Sequence, residues 1–366
     1  MRIVIIADDI VKEGGTKEII KHIKNAVDNH EVCIEYVSSE KYLPKYLPNK
    51  WRALFRIIYL NRISNTNFSQ FDIAISLQPD SHCIRHRNHI VYFQHHIKQY
   101  YDLFWQFFRQ KRGLRKKMVF LLLTAITRLG DKIYLTPNLK TACIIVNSHT
   151  VGERLRKYNG ITNYSIINPG CDRVKMIPSY NESIIPNNLQ KNNDHHLLLA
   201  FSRLNVMQKG IDIILDTATI MPYYDFVIAG PYDATIRTID KNRLDSNVKL
   251  IIKEFSENEK SELFNKCDVF LAPYIEEDFG ITPLEANAYG KPVVYCDDSG
   301  EIVRTQKHKD TGFMCKRSPQ EIAKAIEYCI RNKEHMKTSC IDNASKYSWH
   351  NFESSFRTYV NTLKIQ

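Results

Sequence analysis

The sequence predicts an α/β fold in which two doubly wound domains follow one another along the chain. Its 366 residues exceed the ~100–200 residues of a typical single domain. Short apolar runs alternate with amphipathic, helix-like stretches, which is the pattern of βα units and parallel sheets. Two such series are separated by residues 175–194, whose prolines, asparagines and weak periodicity indicate a linker.

Each predicted strand is a short apolar run. In the first series these runs occupy residues 2–7, 32–37, 71–77, 89–94, 142–147 and 164–167. In the second series they occupy residues 196–202, 224–229, 248–252, 269–273, 292–296 and 312–314. Helical patterns include residues 16–27, 151–158 and 319–332, and Ser148 and Ser318 are suited to cap the last two. Doubly wound sheets bind ligands at the carboxyl ends of their strands, so two of them predict a site in a cleft between domains.

The formal net charge of +11 is concentrated in the first half of the chain. Residues 1–170 hold 26 Lys and Arg against 13 Asp and Glu, and residues 41–132 alone hold 17 against 4. A basic surplus points to nucleic acid, an anionic membrane surface or an acidic substrate. With 43% hydrophobic and 25% charged residues, the composition excludes disordered, collagen-like and disulfide-scaffold proteins.

Cysteine usage and apolar run lengths bear on the compartment. The nine cysteines are scattered, odd in number and without a CxxC pair, which predicts free thiols in a reducing compartment and no zinc site. The first apolar run is too short for a secretory signal, and the stretch from Met118 to Ile126 is far short of the ~20 residues of a spanning helix. We expect a cytoplasmic protein, or one that lies on a membrane without crossing it.

Two cations follow the first strand of the second series. Arg203 and Lys209 stand six residues apart, and Gly210 opens the next predicted helix. An arginine fork, a lysine point charge and the free N–H groups of a helix start together suit a diphosphate. An ordinary solvated basic loop is the alternative interpretation.

A second group of candidate residues follows the strand that ends near Pro273. A helix is expected to begin around Thr282–Pro283, because proline is tolerated in the first turn. Backbone N–H groups of Phe279, Gly280 and Ile281 would then lie near Glu277, with Glu285 about one turn into the helix. Two carboxylates around such amides suit the hydroxyls of a sugar and of a ribose. Acids that simply favour a helix N-terminus are the alternative.

Together these residues resemble a known family. Glu277 and Glu285 have seven residues between them, and Ala-Tyr-Gly-Lys-Pro-Val-Val follows. This resembles the E-x7-E signature of the retaining glycosyltransferases of family 4 (glycosyl transferases group 1), which have the GT-B fold. The segment from Arg203 to Lys209 matches that family's donor-diphosphate cations. The likeness continues through Val-Ile-Ala-Gly230-Pro, Asp268-Val-Phe-Leu-Ala-Pro, Thr-Gly312-Phe and Tyr-Ser-Trp349.

The resemblance implies an architecture. Two Rossmann-like domains would face each other across a cleft, with residues 1–174 on the acceptor side and 195–349 on the nucleotide-sugar side. Residues from about 350 to 366 would form a C-terminal helix that returns to the first domain.

The resemblance also implies roles for the candidate residues. Arg203 and Lys209 would hold the diphosphate of a nucleotide-sugar donor, without a metal or another cofactor. Glu277 would act at the sugar hydroxyls as a catalytic residue, helped by the backbone of Phe279, Gly280 and Ile281. Glu285 would bind the ribose.

Two positions depart from the family pattern. The strand after the E-x7-E segment leads into Asp298-Ser-Gly300-Glu301 rather than a glycine-rich turn before an acid. For that reason no site role is carried over to Glu301. Ser202 stands where many members have glycine.

In the first domain, Gly14 and Gly15 follow the first predicted strand. Adjacent glycines let a backbone approach a bound phosphate closely, although a simple turn is the commoner meaning of such a pair. By the resemblance, this loop borders the donor phosphate and the acceptor cleft, so both glycines are expected to be donor-binding.

The strand at 89–94 is followed by His95 and His96. A histidine at a strand end can donate to a sugar hydroxyl or shuttle a proton. The segment resembles the family's Tyr-x-x-His or Tyr-x-His pattern, and Tyr92 gives the better spacing with His95. The resemblance therefore implies His95 as a catalytic residue, with His96 held in reserve. Two partly exposed loop histidines are the alternative.

Residues 51–60 and 103–120 interleave aromatic residues with lysines and arginines. Basic amphipathic segments can lie at a membrane interface, where each cation near an anionic leaflet contributes roughly 1 kcal/mol. These segments therefore predict peripheral contact with an anionic membrane that carries a lipid-linked acceptor. The alternative is that the aromatics are core and the cations a solvated face.

The sequence thus predicts a retaining glycosyltransferase that moves a hexose-type sugar from a nucleotide-diphosphate donor to a glycan or lipid-linked acceptor. Its expected place is the cytoplasm or the cytoplasmic face of a membrane. The alternatives are a nucleotide-sugar epimerase of similar fold, a non-catalytic sugar-binding subunit and a nucleic-acid-binding protein. No zinc-finger, RRM or helix-turn-helix signature supports the last, so no nucleic-acid partner is expected.

Overall fold

The computed structural model describes residues 1–8, 15–37, 53–172, 196–240 and 244–363. The chain forms two compact units. The first unit consists of Met1–Asn168 together with Phe352–Gln366, and the second of Pro169–Asn351. The linker predicted at 175–194 lies outside the described residues.

The first unit is built on a six-stranded sheet in the order β2-β1-β3-β4-β5-β6. All of its strand pairs are parallel. Its strands are β1 (Arg2–Asp8), β2 (Glu31–Val37), β3 (Ile73–Ser76), β4 (His89–Phe93), β5 (Cys143–Val146) and β6 (Ser165–Ile166). Its described helices are α1 (Gly15–Ala26), α2 (Arg56–Ser64), α3 (Phe104–Gln110), α4 (Leu114–Gly130), α5 (Thr136–Thr141) and α6 (His149–Asn159). A π-helical turn, Asp131–Leu135, joins α4 to α5.

The second unit repeats this plan with the order β12-β11-β10-β7-β8-β9, again all parallel. Its strands are β7 (His196–Phe201), β8 (Tyr224–Gly230), β9 (Val248–Ile252), β10 (Val269–Ala272), β11 (Val293–Cys296) and β12 (Gly312–Cys315). Its described helices are α7 (Ile211–Ile220), α8 (Glu257–Lys266), α9 (Ile281–Ala288), α10 (Ile302–Thr305) and α11 (Pro319–Ser345). Separate apolar clusters cover the two faces of the sheet, which is why its strands are nearly continuous apolar runs.

The last helix, α12 (Trp349–Thr362), packs on the first unit. The fully buried rings of Phe352 and Phe356 contact the ring of Tyr92 in β4, with centroids 5.8 and 6.4 Å away. Arg357 also donates to the carbonyl oxygen of Ala26 at the end of α1. The predicted return of the C-terminal helix to the first domain is confirmed.

The predicted elements agree closely with the observed ones. All twelve strands are present, and their ends lie within two residues of the predicted ones. Ser148 Oγ accepts from the amide of Val151 and Ser318 Oγ from the amide of Glu321, which confirms both N-caps. The helix predicted over 319–332 continues to Ser345, because buried apolar residues recur along its whole length.

The strand order of the second sheet reverses at its centre, between β7 and β10. β7 and β10 are neighbours, but the chain continues from β7 toward β8 on one side and from β10 toward β11 on the other. Doubly wound sheets bind ligands in the crevice that forms where the strand order reverses, at the carboxyl ends of the strands. The loops after these two strands contain Arg203, Lys209 and Glu277.

Candidate functional site

The loop after β7 is shaped by Gly210, which precedes the first residue of α7. Its φ of +62° lies in the left-handed region, and a Cβ there would come within 2.3 Å of the carbonyl oxygen of Pro273. The amide of Ile275 donates to the carbonyl of Gln208 at 2.9 Å. The loops after β7 and β10 are therefore in direct contact, and only a glycine fits where they meet.

Lys209 and Glu277 form an ion pair across these two loops. Lys209 Nζ lies 2.9 Å from Glu277 Oε2, and the two side chains are 18% and 17% exposed. The same ammonium stands 4.1 Å from the centre of the buried Tyr274 ring, a cation–π contact. The structure brings together a predicted diphosphate-binding cation and a predicted sugar-binding carboxylate.

Tyr274 contributes to the site although no motif marked it. Its hydroxyl donates to the carbonyl of Phe201 at 3.2 Å and lies 3.1 Å from Thr282 Oγ1 in α9. Burial raises the pKa of Tyr274, so the ring stays neutral beneath the ammonium of Lys209. The only sequence signal for it was its position two residues after the end of β10, in the loop that leads to Glu277.

Gly300 supports Glu277 from the loop after β11. Its φ is +64°, and a Cβ there would lie 2.5 Å from the amide nitrogen and 2.3 Å from the carbonyl oxygen of Glu277. The amide of Glu301 donates to that same carbonyl at 3.0 Å. The Glu301 side chain is only 3% exposed, so it offers little surface to a ligand.

The segment from Phe279 to Ile281 offers its backbone rather than its side chains. The ring of Phe279 is buried in a cluster with Cys171, Leu284 and Ala344. Gly280 is the N-cap of α9 with a φ of +84°, and the helix begins at Ile281, slightly earlier than predicted. The N–H groups at this helix start are what remains for a ligand.

Glu285 lies one turn into α9 and is half-buried. Burial, together with the negative charges of Glu285 and Asp172, raises the pKa of the Cys171 thiol.

Arg203, in the loop after β7, is exposed, and its guanidinium makes no ion pair with any residue that the structure describes. The structure thus leaves Arg203 accessible to an anion.

In the first unit, Gly14 lies outside the described residues, and Gly15 is the first residue of α1. Two glutamines that the sequence did not single out lie at the same edge of the sheet. Gln78 Oε1 accepts from the amide of Asp8 at 2.7 Å, and Gln94 Nε2 donates to the carbonyl of Leu77 at 2.9 Å. They tie together the ends of β1, β3 and β4.

The structure separates the two neighbouring histidines. His95 is half-buried, and its Nδ1 lies 2.9 Å from the carbonyl oxygen of His96. The His96 ring is 1% exposed, bonds to Asn159 and packs against Phe93, Tyr101 and Tyr158. Burial lowers the pKa of His96. His96 is therefore a core residue, and of the two only His95 remains a candidate for the site.

Tyr92, whose spacing to His95 carried that prediction, is itself in the core. Its hydroxyl donates to the carbonyl of Ile167 at 3.0 Å, and its ring contacts α12. Its own side chain is thus structural.

The basic aromatic segments differ from the prediction. Trp51 and Arg52 lie outside the described residues, and Arg56, Tyr59 and Leu60 are buried. Arg56 donates to Asp80 and Asp131 in a buried network, so it is not a surface cation. Of the described part of this segment, residues 53–60, the one cation is therefore buried and does not contribute to a basic surface.

The aromatic residues of 103–120 also pack mostly inward. Phe104, Phe107, Phe108 and Phe120 form a cluster with Tyr100 and Tyr101. The exposed apolar residues here are instead Trp105 and the aliphatic side chains of α4 and the turn that follows it: Leu114, Met118, Val119, Leu121, Leu122, Leu129 and Ile133. The exposed apolar surface is therefore formed mainly by the aliphatic side chains of α4 and not by the aromatic rings, which pack against one another.

A pocket of about 430 Å³ opens on the first sheet at the ends of the strands opposite to those near His95. It is lined by Ile84, Arg85, His86, Arg87, His89, Asn138 and Thr141. His89 begins β4, whereas His95 follows its end, so this pocket lies at the amino ends of the strands. That is not the edge at which doubly wound sheets bind ligands, and no predicted site residue lines it.

The described residues contain no group of three or more His, Cys, Asp and Glu side chains arranged to hold a metal ion. In the same part of the chain, no helix combines the length and apolarity needed to cross a membrane. All nine cysteines are free thiols, and seven of them are buried.

Part of this chain resembles known proteins in sequence. Residues 181–347 match the family model described as Glycosyl transferases group 1, a range that contains Arg203, Lys209, Glu277 and Glu285. The chain is 24% identical to human alpha-1,3/1,6-mannosyltransferase ALG2 over 254 residues, 61% of this chain and 59% of the human protein. It therefore spans about three fifths of that relative's length.

Solved structures share the whole architecture. Sucrose-phosphate synthase from Thermosynechococcus elongatus gives a TM-score of 0.73 at 14% identity, covering 99% of this chain and 98% of that one. Anabaena HepE in complex with UDP-glucose gives a TM-score of 0.67 at 15% identity, covering 99% and 100%. The chain thus has the GT-B fold, and the greater part of its second unit, residues 181–347, matches the family of Glycosyl transferases group 1.

Proposed function

We propose that the protein is a retaining glycosyltransferase that moves a hexosyl group from a nucleotide-diphosphate sugar to a glycan or lipid-linked acceptor. The observation that carries this proposal is the Lys209–Glu277 pair at the reversal point of the second sheet, inside the segment that matches the glycosyltransferase family. A cation and a carboxylate at the carboxyl ends of two central strands stand where sheets of this kind bind nucleotides.

Cleavage of the donor leaves negative charge on the nucleoside diphosphate. In the proposed reaction Arg203 and Lys209 stabilise that charge, aided by the N–H groups at the starts of α7 and α9. Preorganised donors of this kind are worth about 10²–10³ in rate each. Because these groups meet the charge themselves, we propose that no metal ion takes part, and we expect EDTA to leave the rate unchanged.

In this proposal the carboxylates of Glu277 and Glu285 bind different parts of the donor. Glu277 accepts hydrogen bonds from hydroxyls of the transferred sugar, and the N–H groups from Phe279 to Ile281 face the same group. Glu285, one turn into α9, accepts from the ribose hydroxyls. A buried Phe279 ring supports this arrangement, because it leaves only the backbone of that segment for the ligand.

The first domain supplies the remaining contacts in this proposal. His95 donates to a sugar hydroxyl or moves a proton at the reacting end of the sugar, and the loop of Gly14 and Gly15 borders the phosphate. The half-buried position of His95 supports its role, since a ring in the core could not reach a substrate.

The relatives narrow the choice of sugar. Two of the proteins that this chain resembles are named mannosyltransferases, and a structural neighbour was solved with UDP-glucose. We therefore propose a hexose as the transferred group, with mannose and glucose as the first sugars to test.

The test is a donor panel with the purified full-length chain. GDP-mannose, UDP-glucose and the free nucleotides UDP and GDP are first ranked by thermal shift, because a ligand that binds only the folded state raises its stability. The best donor is then incubated with a lipid extract as acceptor, and NMR of the product reports the anomeric configuration. Transfer with retention is expected. Isomerised free sugar without an acceptor would instead identify an epimerase, and salt-dependent RNA or DNA binding without turnover would identify a nucleic-acid-binding protein.

A second proposal concerns the surface through which the protein would reach a lipid-linked acceptor. Exposed apolar residues recur at helical spacing along α4, with Leu114, Met118 and Leu122 exposed by 77%, 58% and 53%. Exposed Arg112, Arg115 and Lys116 cluster at the beginning of the same helix. An apolar stripe beside cations is the pattern of a helix that lies in a membrane interface.

We propose that this face of α4 binds an anionic membrane surface. Over residues 104–133 there are eight Lys and Arg against one acid, so the charge of the face is complementary to acidic lipids. Such contact would hold the first domain at the cytoplasmic face, next to a lipid-linked acceptor.

A further inference from the structure

Arg317 is the second residue after the end of β12 and belongs to none of the motifs identified in the sequence. Each of the three nitrogens of its guanidinium donates a hydrogen bond. Nη1 donates to the carbonyl of Pro273 at 2.8 Å and Nη2 to the carbonyl of Tyr274 at 2.7 Å. Nε and Nη2 also donate to the two carboxylate oxygens of Asp298, at 2.7 and 2.6 Å. This fork joins the loop after β11 to the end of β10.

The two carbonyls belong to the segment 273–277, which leads from β10 to Glu277. The rest of this segment is also held by single bonds from neighbouring loops. Ser299 Oγ donates to Tyr274 O, the amide of Ile275 to Gln208 O, the amide of Glu276 to Asp298 O, and the amide of Glu301 to Glu277 O. Arg317 is the charged member of this set, and bonds from a charged donor are stronger than neutral ones.

The segment needs such restraint because its backbone is strained. Glu276 has a φ of +50°, in the left-handed region that non-glycine residues avoid. Strain of this kind persists only where the surroundings over-determine the conformation. Without the fork, only the single neutral bonds would hold Glu276 in this conformation, and the next residue along the chain is Glu277.

We propose that Arg317 is a positioning residue for the sugar-transfer reaction. Held by Asp298, it clamps the segment 273–277 and so sets where the carboxylate of Glu277 stands and, through the ion pair, where the ammonium of Lys209 stands. This inference rests on the proposed function, since it assigns Arg317 to the geometry of the same site.

The chain contains a matched control one residue away. Lys316 pairs with Asp297 across the same two strand ends, but it is 80% exposed and none of its contacts reaches the segment 273–277. Removing Lys316 therefore deletes an ion pair between the same loops without touching the clamp.

The experiment compares Arg317→Ala with Lys316→Ala in the full-length chain. In Arg317→Ala we expect kcat to fall at least tenfold with less than a threefold change in the KM for the donor, because small displacements of reacting groups cost rate steeply. Added methylguanidinium at millimolar concentration should restore part of that rate. Lys316→Ala should match the parent. A parent-like kcat in Arg317→Ala, or a fall that guanidinium does not restore, would overturn the proposal.

Amide hydrogen exchange gives a readout that needs no substrate. Peptides covering residues 273–280 should exchange faster in Arg317→Ala than in the parent or in Lys316→Ala, and unchanged exchange there overturns the clamp. An inactive parent with faster exchange in Arg317→Ala would count against the proposed function and not against the clamp. If Arg317→Ala does not fold, Arg317→Lys serves, since a single ammonium cannot bond Asp298 and both carbonyls at once.

Discussion

The ammonium of Lys209 lies 2.9 Å from a carboxylate oxygen of Glu277, although 68 positions separate the two residues in the chain. The contact joins the loop after β7 to the loop after β10, at the point where the strand order of the second sheet reverses. More than four fifths of each side chain is buried, so salt screens the pair less than a surface ion pair. The two charges form one unit in the folded protein.

The first prediction concerns the Lys209–Glu277 ion pair. Lys209→Met and Glu277→Gln should each lower the rate of sugar transfer by about 10²–10³, the usual effect of losing one preorganised electrostatic group. The measurement is kcat/KM for the best donor. Lys266→Ala, which removes an ion pair with Glu262 on the surface of α8, is the control and should be close to the parent. A Lys209 variant as active as this control would contradict the site.

The two adjacent histidines should respond in opposite ways. His95→Ala should reduce transfer about 10²-fold with little loss of stability, because the ring is partly exposed and, in the proposed reaction, acts on substrate. His96→Ala should lower the free energy of unfolding by about 2–3 kcal/mol, because it empties a buried aromatic site and leaves the Oδ1 of Asn159 without its partner. Rates and urea unfolding measured on both variants decide the matter. The reverse pattern would move the functional role to His96.

Acidification should destabilise the protein through its buried histidines. Burial lowers the pKa of His82 and His96, and it lowers the pKa of His89 to about 3. In the unfolded chain these rings titrate near the ordinary histidine pKa of about 6.5. Below that pH the unfolded state binds more protons than the folded state, so stability falls as the pH falls.

The size of this effect can be checked at a single ring. Between pH 7.5 and 5.5 His89, whose pKa is lowered to about 3, should remove about 1 kcal/mol from the free energy of unfolding. Urea titrations of the parent and of His89→Gln at both pH values measure it, and the variant should lose about 1 kcal/mol less on acidification. Identical losses in the two proteins would show that His89 does not stay neutral in the folded state.

The apolar face of α4 makes a prediction about membranes. Combining Met118→Glu with Leu122→Glu should reduce binding to vesicles of phosphatidylcholine and phosphatidylglycerol at least tenfold, since each buried apolar side chain is worth roughly 1.5–3 kcal/mol. Vesicle flotation measures the bound fraction. Tyr223→Glu, at an apolar side chain that is 81% exposed in the second unit, is the control. Equal flotation of all three proteins, or no preference for the anionic lipid, would contradict the proposed surface.

Much of the fold could be predicted because its signals are local. A run such as residues 3–7 of β1 is apolar on both faces because helices cover both faces of a parallel sheet, and the run alone reveals this. Ser148 and Ser318 could be identified as caps because a cap bonds to a backbone amide only three residues away.

The candidate site divides in the same way. Lys209 and Glu277 could be proposed from motifs that lie within short stretches. Tyr274 and Arg317 could not, because each acts through contacts with segments distant in the chain: Tyr274 under the Lys209 ammonium, and Arg317 on Pro273, 44 residues away. Neither residue has a local pattern that distinguishes it from an ordinary core tyrosine or a surface arginine.

The sequence by itself determined the two parallel sheets, the order of their strands along the chain and the residues that could meet a nucleotide sugar. Tertiary structure alone decided which of those residues are exposed. It buried His96 and Arg56, turned the rings of 103–120 inward and left the aliphatic side of α4 in solvent. The physical reason is that a side chain's exposure depends on what packs against it from elsewhere in the chain, whereas apolar periodicity shows only that some face must be covered.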